Sequence, residues 1–268
     1  MARALRPLSL GKLLDEAFDI YRHNFLLFLA ISAIPNIALL LFELEWAKLK
    51  LTGTSSSTMA GILAFLGDYS VSLFVGSIVT AATTVAVSEV YLDRSISVWD
   101  CYSRISRKAL KIVYISFALQ LIIGLGMLIC LLPGIMWAGI YGLAVPVVVL
   151  EDIRASRALG RSEELTAHGV GRVIVIFFLT SIFSAIMVGA LNAAASAAGL
   201  TAPHNGILTA EMIQQINGTL GSILFGPISA IALTLEYYDQ RVRKEAFDID
   251  HMLRLIQPEN LSTGAATL

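Results

Sequence analysis

Three long apolar runs of this chain end in a glutamate that is followed within five residues by an arginine. The three pairs are Glu89 with Arg94, Glu151 with Arg154, and Glu236 with Arg241. A carboxylate in the hydrocarbon core of a membrane costs about 2.5–3.5 kcal/mol, and less near the interface. A negative charge at the end of a helix also opposes the helix dipole. Each glutamate is therefore expected to have a partner, and the planar donors of arginine fit a carboxylate well.

Three interpretations of these pairs are open. In the first, each glutamate forms a structural ion pair with a basic segment at the membrane surface, and Asp239 and Arg243 add to the third pair. In the second, the three carboxylates build a proton or cation site, because acids inside membranes often mark a transport pathway. In the third, the charged side chains only reach towards water at the membrane edge. The structural ion pair is the favoured interpretation.

Motifs of a catalytic or metal site do not occur in the sequence. The four histidines form no HExxH, and neither GxSxG nor GxxxxGK[ST] is present. Cys101 and Cys130 are not spaced as zinc ligands and are expected to be reduced thiols. The sequence therefore predicts a protein without enzymatic activity, metal or cofactor. A net charge of −1 gives no reason to expect nucleic acid as a partner.

The elements that carry these residues are predicted to be membrane-spanning helices. The chain is 56% hydrophobic and 15% charged, whereas an average soluble domain carries about 25% charge. Six apolar segments approach the roughly 20 residues that a helix needs to cross a bilayer. They lie near residues 25–45, 69–92, 112–132, 135–151, 172–198 and 217–238. The predicted fold class is an all-α polytopic membrane protein, with residues 1–268 forming a single domain.

Basic residues are concentrated in alternate segments between these spans. The first 24 residues, the connections at 89–111 and 151–172, and the tail after 238 hold 17 of the 19 lysines and arginines. Because cytoplasmic loops carry an excess of basic residues, both termini are expected to be cytoplasmic. The turn at Pro133-Gly134, between the third and fourth spans, is then expected on the opposite side.

Three of the basic segments are predicted to form amphipathic helices in the headgroup plane. They cover residues 9–24, 97–111 and 156–171, and a fourth cytoplasmic helix is predicted at 239–257. The candidate ligands for anionic lipid headgroups are Arg104, Arg107, Lys108, Arg157 and Arg161. The alternative is that the three segments are solvated loops.

The order of the elements suggests a threefold internal repeat. Each unit would consist of an amphipathic helix, a span that leaves the cytoplasm and a span that returns to it, and each returning span ends at one of the three glutamates. Self-similarity of this kind is typical of repeat proteins. Pro35, Pro146 and Pro227 lie within spans, where proline is common in membrane helices and also occurs at the broken helices of transporters.

Four stretches of the sequence resemble one family of bacterial membrane proteins. They are "PLSLGKLLDEAFDIYRHNF" at 7–25, "PGIMWAGIYGLAVPVVVLED" at 133–152, "SRALGRSEELTAHG" at 156–169 and "LEYYDQRVRKEAFDID" at 235–250. The chain resembles six-span proteins related to the membrane domain of glycerophosphoryl diester phosphodiesterase, a largely uncharacterised family. The resemblance covers almost the whole chain and implies a protein of the bacterial inner membrane. It does not imply the phosphodiesterase reaction, which in the fused enzymes belongs to a separate soluble domain.

The function expected from these features is that of a non-enzymatic membrane protein that organises lipids or holds partner proteins. Membrane lipids are the expected ligands, anionic lipids above all, and a protein partner or a second copy of the chain is also compatible with the sequence. The alternative is a transporter or lipid-export component that uses the in-span prolines and carboxylates. The position of Glu89, Glu151 and Glu236 discriminates between the two, because a central wet cavity favours transport and burial against arginine favours the ion pair.

Overall fold

A computed structural model describes residues 8–52, 58–92, 94–167, 169–200 and 210–245 of the chain. Every regular element in these ranges is an α-helix. In chain order the helices are α1 Leu10–His23, α2 Phe25–Thr52, α3 Thr58–Tyr91, α4 Val98–Ser106, α5 Ala109–Ile129, α6 Leu131–Tyr141, α7 Ala144–Leu150, α8 Ala155–Thr166, α9 Val170–Ala197 and α10 Ala210–Glu245.

Six stretches of these helices are long and apolar enough to cross a membrane. They are Phe25–Glu45, Ser70–Tyr91, Ala109–Ile129, Leu131–Leu150, Val170–Ala197 and Met212–Glu245. The all-α fold with six spans is thus confirmed, and the chain is a multi-pass membrane protein. The short helices α1, α4 and α8 lie in the three segments for which amphipathic helices were predicted, but α4 and α8 end earlier than predicted, at Ser106 and Thr166. The last residues of these two segments belong to the spans α5 and α9.

The hairpin between the third and fourth spans turns three residues earlier than predicted. Cys130 has an extended backbone, with φ −166° and ψ 150°, and separates α5 from α6. Pro133 and Gly134 lie in the first turns of α6, where a proline costs nothing because its missing N–H would have no partner in the helix. The two helices approach closely here, since a Cβ on Gly126 would lie 2.8 Å from Cα of Gly134.

The in-span prolines have different effects on their helices. Pro146 lies near the start of α7, and the fourth span is interrupted between Tyr141 and Ala144. A proline ring clashes with the carbonyl four residues before it, which explains the break. Pro35 and Pro227 lie inside helices that continue past them.

The last helix continues past residue 238, where the sequence analysis ended the sixth span. α10 runs without interruption from Ala210 to Glu245, whereas the sequence suggested a separate helix at 239–257. Residues 246–257 of that predicted helix lie outside the described part of the chain.

The spans form an inner and an outer set. In the most apolar stretch of the returning spans, α3, α6–α7 and α10, between 44% and 61% of the residues are buried. In the outgoing spans, α2, α5 and α9, the share is only 11–22%. α3 contacts both α7 and α10, and α7 contacts α10, so the returning spans meet at the centre and the outgoing spans present more surface to lipid.

The contacts between helices recur in cyclic order. Each returning span packs on the outgoing span of its own unit and on that of the next, giving the neighbours α10 and α2, α3 and α5, and α6 and α9. Each short helix packs on the returning span of the unit before it: α4 on α3, α8 on α7 and α1 on α10. The predicted repeat is therefore matched by a threefold pattern of packing. We call the end of the bundle that carries α1, α4, α8 and the end of α10 the basic face.

Candidate functional site

The most buried of the three glutamates is Glu236 of α10, whose side chain has no exposed surface. Arg172 of α9 donates to both of its carboxylate oxygens, with distances of 3.1 Å and 3.0 Å for the shortest contact to each. The amide of Gln240 donates to Oε1 at 2.6 Å. A Cβ at Gly169 would lie 2.5 Å from the Gln240 amide nitrogen, so a larger residue there would have to displace this amide. Glu236 therefore joins α9 to α10 through a complete set of hydrogen bonds.

Asp239, one turn further along α10, fixes the start of α1. Its Oδ1 accepts a 2.6 Å hydrogen bond from the backbone N–H of Leu8, and its Oδ2 accepts from Arg172 at 2.9 Å and Arg243 at 2.7 Å. Both arginines also donate to the Leu8 carbonyl oxygen. In the first unit, backbone atoms of Leu8 thus attach the short helix α1 to the bundle. In the other two units, an arginine side chain of the short helix makes the corresponding attachment.

Glu151, at the end of α7, is held by α8. Nε of Arg161 donates to it at 3.1 Å, and the Tyr237 hydroxyl donates at 3.0 Å. Arg161 also pairs with Glu245 and, at 3.5 Å, with Glu164. Burial alone would lower the pKa of Arg161, but its hydrogen bonds to Glu245 and Glu151 outweigh burial and raise the pKa above its ordinary value.

Glu89, at the end of α3, is held by α4. Arg104 donates to it at 2.5 Å, and Arg94 lies 3.9 Å away. Arg104 is half exposed, so this is the most solvated of the three pairs and is worth about 0.2–1 kcal/mol.

The start of α5 is attached to the end of α7 by two lysines. Lys108 donates to the Val149 carbonyl oxygen at 2.7 Å, and Lys111 contacts the Asp152 carboxylate at 2.8 Å. The hydrogen bond from Lys111 and the charge of Lys108 lower the pKa of Asp152 below its ordinary value. Asp152 has a φ of 50°, in the left-handed region that often ends a helix and that aspartate tolerates better than most residues.

Two of the three glutamates have other ion-pair partners in the structure than the sequence suggested. Glu151 pairs with Arg161 and not with Arg154, which is exposed and has no ion pair within the described residues. Glu236 pairs with Arg172, while Arg241 contacts Glu245 and Tyr237 instead. Arg241 lies five positions after Glu236 on α10, outside the i+3 and i+4 positions that share a helix face. Arg154 lies beyond the end of α7, as the N-cap of α8.

The five headgroup candidates divide into two groups. Three are engaged within the protein: Arg104 with Glu89, Lys108 with Val149 and Asp152, and Arg161 with three carboxylates. Arg107 and Arg157 are exposed, and the side chain of neither has a hydrogen-bond or ion-pair partner in the part of the chain that the structure describes.

An apolar groove lies between α3, α4 and α5 at the basic face. It has a volume of about 410 Å³. Its lining consists of Phe74, Ile78, Trp99, Tyr102, Ser103, Ile105, Ser106, Ala109, Ile112 and Val113. Its polar groups come from α4, and its deeper lining comes from the spans α3 and α5. Trp99 is 80% exposed at its edge.

A second space lies between α2, α3, α9 and α10, and 12 of its 21 lining residues are polar. It has a volume of about 490 Å³ and contains Glu43 of α2 and Gln215 of α10, which are joined by a hydrogen bond. None of the three glutamates at the ends of the returning spans lines it. A third, largely apolar space of about 600 Å³ adjoins it between α3, α5, α6 and α9.

Within the described ranges, no group of three or more histidine, cysteine, aspartate or glutamate side chains is placed to hold a metal ion. Comparisons of the chain with protein-family models, curated proteins and solved structures found no match.

Proposed function

We propose that this chain is a non-enzymatic integral membrane protein that binds an anionic phospholipid at its basic face. The observation that carries the proposal is the groove between α3, α4 and α5. It joins the interfacial surface of α4 to the lipid-facing sides of two spans, so one amphiphilic molecule can occupy it with its headgroup at α4 and an acyl chain between α3 and α5.

The groove has the polarity that a phospholipid requires. The hydroxyls of Ser103 and Ser106 are on α4, while Phe74, Ile112 and Val113 are on the spans. Trp99 lies at the edge of the groove, and tryptophan is enriched in the headgroup region of membranes. Because an acyl chain enters the groove from lipid and not from water, it is held there by van der Waals packing against these walls.

Charge favours an anionic headgroup at the same place. Arg107 directly follows the lining residue Ser106 and ends α4. Each basic residue near an anionic membrane surface contributes about 1 kcal/mol of attraction. Arg107 is available to bind a phosphate group because no described residue forms an ion pair with it. Arg157 on α8 also has no ion pair with a described residue.

The internal ion pairs make this surface rigid. Glu89 holds α4, Glu151 holds α8, and Asp239 holds the start of α1. A binding surface that is already ordered loses less entropy when a lipid binds. The three carboxylates thus serve the lipid site indirectly, by fixing the helices that present it.

The cellular setting belongs to the same proposal. The alternating basic segments favour a basic face on the cytoplasmic side of a bacterial inner membrane, with both termini cytoplasmic. The resemblance to proteins related to the glycerophosphoryl diester phosphodiesterase membrane domain supports this setting.

Lipid binding is tested by fluorescence quenching of Trp99 as the only tryptophan, in a Trp46→Phe, Trp137→Phe background. The protein is reconstituted with brominated phosphatidylglycerol or brominated phosphatidylcholine, whose bromines quench tryptophan on contact. We expect stronger quenching by the anionic lipid, and we expect Arg107→Gln to remove the difference. Equal quenching by both lipids, unchanged by Arg107→Gln, would contradict the proposal.

A matched pair of variants tests the groove itself. Ala109→Phe fills the groove and is expected to reduce quenching by the anionic lipid. Leu110→Phe changes the adjacent residue, which is 87% exposed and does not line the groove, and is expected to have no effect. If both variants behave alike, the lipid contacts Trp99 from the surrounding bilayer and not from the groove.

Transport, including lipid export, is the second candidate function. The polar space between α2, α3, α9 and α10 favours it, because polar side chains at membrane depth often line a substrate pathway. None of Glu89, Glu151 and Glu236 lines this space, and each pairs with an arginine, which supports lipid binding as the preferred function.

A further inference from the structure

The polar space between α2, α3, α9 and α10 and the apolar space between α3, α5, α6 and α9 are two halves of one cavity. They share six lining residues, which come from α3, α9 and α10: Ser72, Gly76, Thr80, Phe177, Ser181 and Leu233. All six spans contribute to the joint cavity, which we call the vestibule. Its halves measure about 490 Å³ and 600 Å³, and ligand sites usually have volumes of about 300–1,000 Å³.

The packing of the spans creates the vestibule. Each span contacts its two neighbours in a closed ring, in the order α2, α3, α5, α6, α9, α10 and back to α2. Inside the ring α3, α7 and α10 also contact one another, and the hydroxyls of Thr84 and Thr234 share a 3.1 Å hydrogen bond there. Both threonines are fully buried, and Leu233, which precedes Thr234, lines both halves. The returning spans thus form a floor that closes the vestibule towards the basic face.

The vestibule lies in the half of the membrane remote from the basic face. α5 starts at Ala109 beside the basic face and ends at Ile129, and its lining residues extend from Ser116 to Met127. At about 1.5 Å per residue this stretch is about 17 Å long. The hydrocarbon of one leaflet is about 15 Å thick, half of the bilayer core. The apolar half therefore has about the length of one acyl chain in that leaflet.

The apolar half has walls that an acyl chain can contact without loss of hydrogen bonds. On the side of α5 and α6 its lining includes Leu119, Ile123 and Ile135. The two polar residues that α5 contributes are already engaged. The side chains of Ser116 and Gln120 donate to backbone carbonyl oxygens at 2.7 Å and 2.5 Å.

The other half presents hydrogen-bonding groups from α2, α9 and α10. The hydroxyls of Thr180 and Thr219 donate to carbonyl oxygens of their own helices at 2.8 Å and 2.9 Å, and their oxygens keep lone pairs that can accept a further hydrogen bond. The amide of Gln214, which both donates and accepts, forms no hydrogen bond with a described residue. Gln214 lies near the start of the last span, at the depth of the headgroups of that leaflet. This half therefore suits a headgroup that combines donors and acceptors.

The apolar half is accessible from the bilayer. Phe178 of α9 lines it and is 64% exposed, and a side chain enclosed on all sides would not keep so much surface. A lipid of the surrounding leaflet can therefore enter the vestibule, whereas the floor blocks access from the basic face.

We propose that the vestibule binds one phospholipid of the leaflet opposite the basic face, with its headgroup beside Gln214 and an acyl chain along Leu119 and Ile123. The bound lipid has the same orientation as its neighbours in that leaflet, with its chain directed at the floor. This site goes beyond the lipid groove of the proposed function, because it serves the other leaflet. Among the described residues, the vestibule and the groove share no lining residue.

The experiment labels the purified full chain with a phosphatidylglycerol that carries a diazirine at the end of one acyl chain. Light links the diazirine to the residues that it contacts, and mass spectrometry of peptides identifies them. We expect labelling of Leu119 and Ile123, which line the vestibule, to saturate as the lipid concentration rises. Leu121 and Leu125 are exposed on the same helix and do not line the vestibule. Their labelling by surrounding lipid is expected to keep rising and serves as the internal reference.

A matched pair of variants tests whether the lipid is inside the ring. Gly76 lines both halves, and a Cβ there meets no described atom within 4 Å, so Gly76→Leu fills the vestibule without a clash. It is expected to abolish labelling of Leu119 and to leave that of Leu121 unchanged. Gly189 on α9 is exposed, has the same free space and does not line the vestibule. Gly189→Leu is therefore expected to be labelled as the unmodified chain is.

A second measurement on the unmodified chain tests the headgroup and does not depend on the folding of a variant. The methyl ester of the same diazirine fatty acid has the chain and no phospholipid headgroup. The phospholipid is expected to reach half-maximal labelling of Leu119 at a concentration about fivefold or more below that of the ester, and Gln214→Leu is expected to reduce this difference.

The proposal is overturned if the labelling of Leu119 does not saturate, if Gly76→Leu and Gly189→Leu are labelled alike, or if ester and phospholipid label equally well. The result is independent of the lipid groove, because Trp99, which reports on the groove, does not line the vestibule.

Discussion

Arg172 at the start of α9 and Glu236 near the end of α10 form a hydrogen-bonded ion pair across 64 residues of sequence. Glu236 is fully buried, and Arg172 is only 25% exposed. The same arginine reaches Asp239 and the carbonyl oxygen of Leu8. One guanidinium thus connects the fifth span, the sixth span and the segment that leads into α1.

Replacing one partner of this pair is expected to destabilise the protein strongly. Arg172→Met leaves the buried Glu236 without its main counter-charge, and breaking a buried pair in this way costs about 3–5 kcal/mol. Thermal unfolding in detergent, followed by loss of the monodisperse species, measures the effect. Arg157→Met, at an exposed arginine without a partner in the described chain, is the control and is expected to unfold at the unchanged temperature.

A double variant separates the ion pair from packing. Arg172→Met combined with Glu236→Leu removes both charges, and replacing a buried pair by apolar residues is often close to neutral. We expect the double variant to be more stable than Arg172→Met alone. A double variant that loses the sum of the two single effects would show that the two side chains do not interact.

Two neighbouring glycines are expected to respond in opposite ways to alanine. At Gly169 a Cβ would collide with the Gln240 amide, which donates to Glu236, whereas a Cβ at Gly171 meets nothing within 4 Å. Gly169→Ala should lower the unfolding temperature. Gly171→Ala lies inside α9 and should raise it slightly, because alanine is favoured over glycine in helices by about 0.5–1 kcal/mol. Equal shifts for both would mean that Gln240 moves aside without cost.

Much of this architecture follows from local sequence patterns. The length of the apolar runs defines the six spans, and Ser97 with Asp100 marks the start of α4 through a capping box that the structure contains. These features depend on residues close in sequence. The break at Cys130, three residues before the expected turn, shows that proline and glycine also fit the first turns of a helix.

The partners of the glutamates depend on contacts that no local pattern encodes. Sequence proximity suggested Arg154 and Arg241, but Arg161 and Arg172 are the arginines that reach Glu151 and Glu236. Arg172 could have been identified only by its position at the start of a span, in a basic segment. The cavity around Glu43 was missed because its serines and threonines are spread over four helices and are individually ordinary in membrane spans.

Cys101 is expected to report whether α4 is docked. Burial raises the pKa of its thiol to about 11, so the reactive thiolate is scarce at pH 8 and becomes abundant only as the pH rises through that value. In a Cys130→Ser variant, labelling by a maleimide should therefore be slow until the protein is unfolded.

Loss of the ion pair between Glu89 and Arg104 should accelerate this labelling. Glu89→Gln removes about 0.2–1 kcal/mol of attraction that holds α4 to α3, which corresponds to an increase of about 1.4- to 5-fold in the labelling rate. High salt should raise the rate in the Cys130→Ser chain and have little effect in the Glu89→Gln variant. A salt effect of equal size in both chains would indicate that α4 is held by packing alone.

The proposed orientation of the chain predicts which engineered cysteines can be labelled from outside the cell. Ser156 and Ala198 are both exposed, Ser156 on α8 at the basic face and Ala198 at the end of α9. Because α9 has 28 residues and each adds about 1.5 Å, its two ends lie on opposite sides of a bilayer. In a Cys101→Ser, Cys130→Ser background, a membrane-impermeant maleimide should label Ala198→Cys in intact spheroplasts and Ser156→Cys only after permeabilisation. The reverse pattern would place the basic face outside the cell, where the proposed attraction to cytoplasmic anionic lipid could not operate.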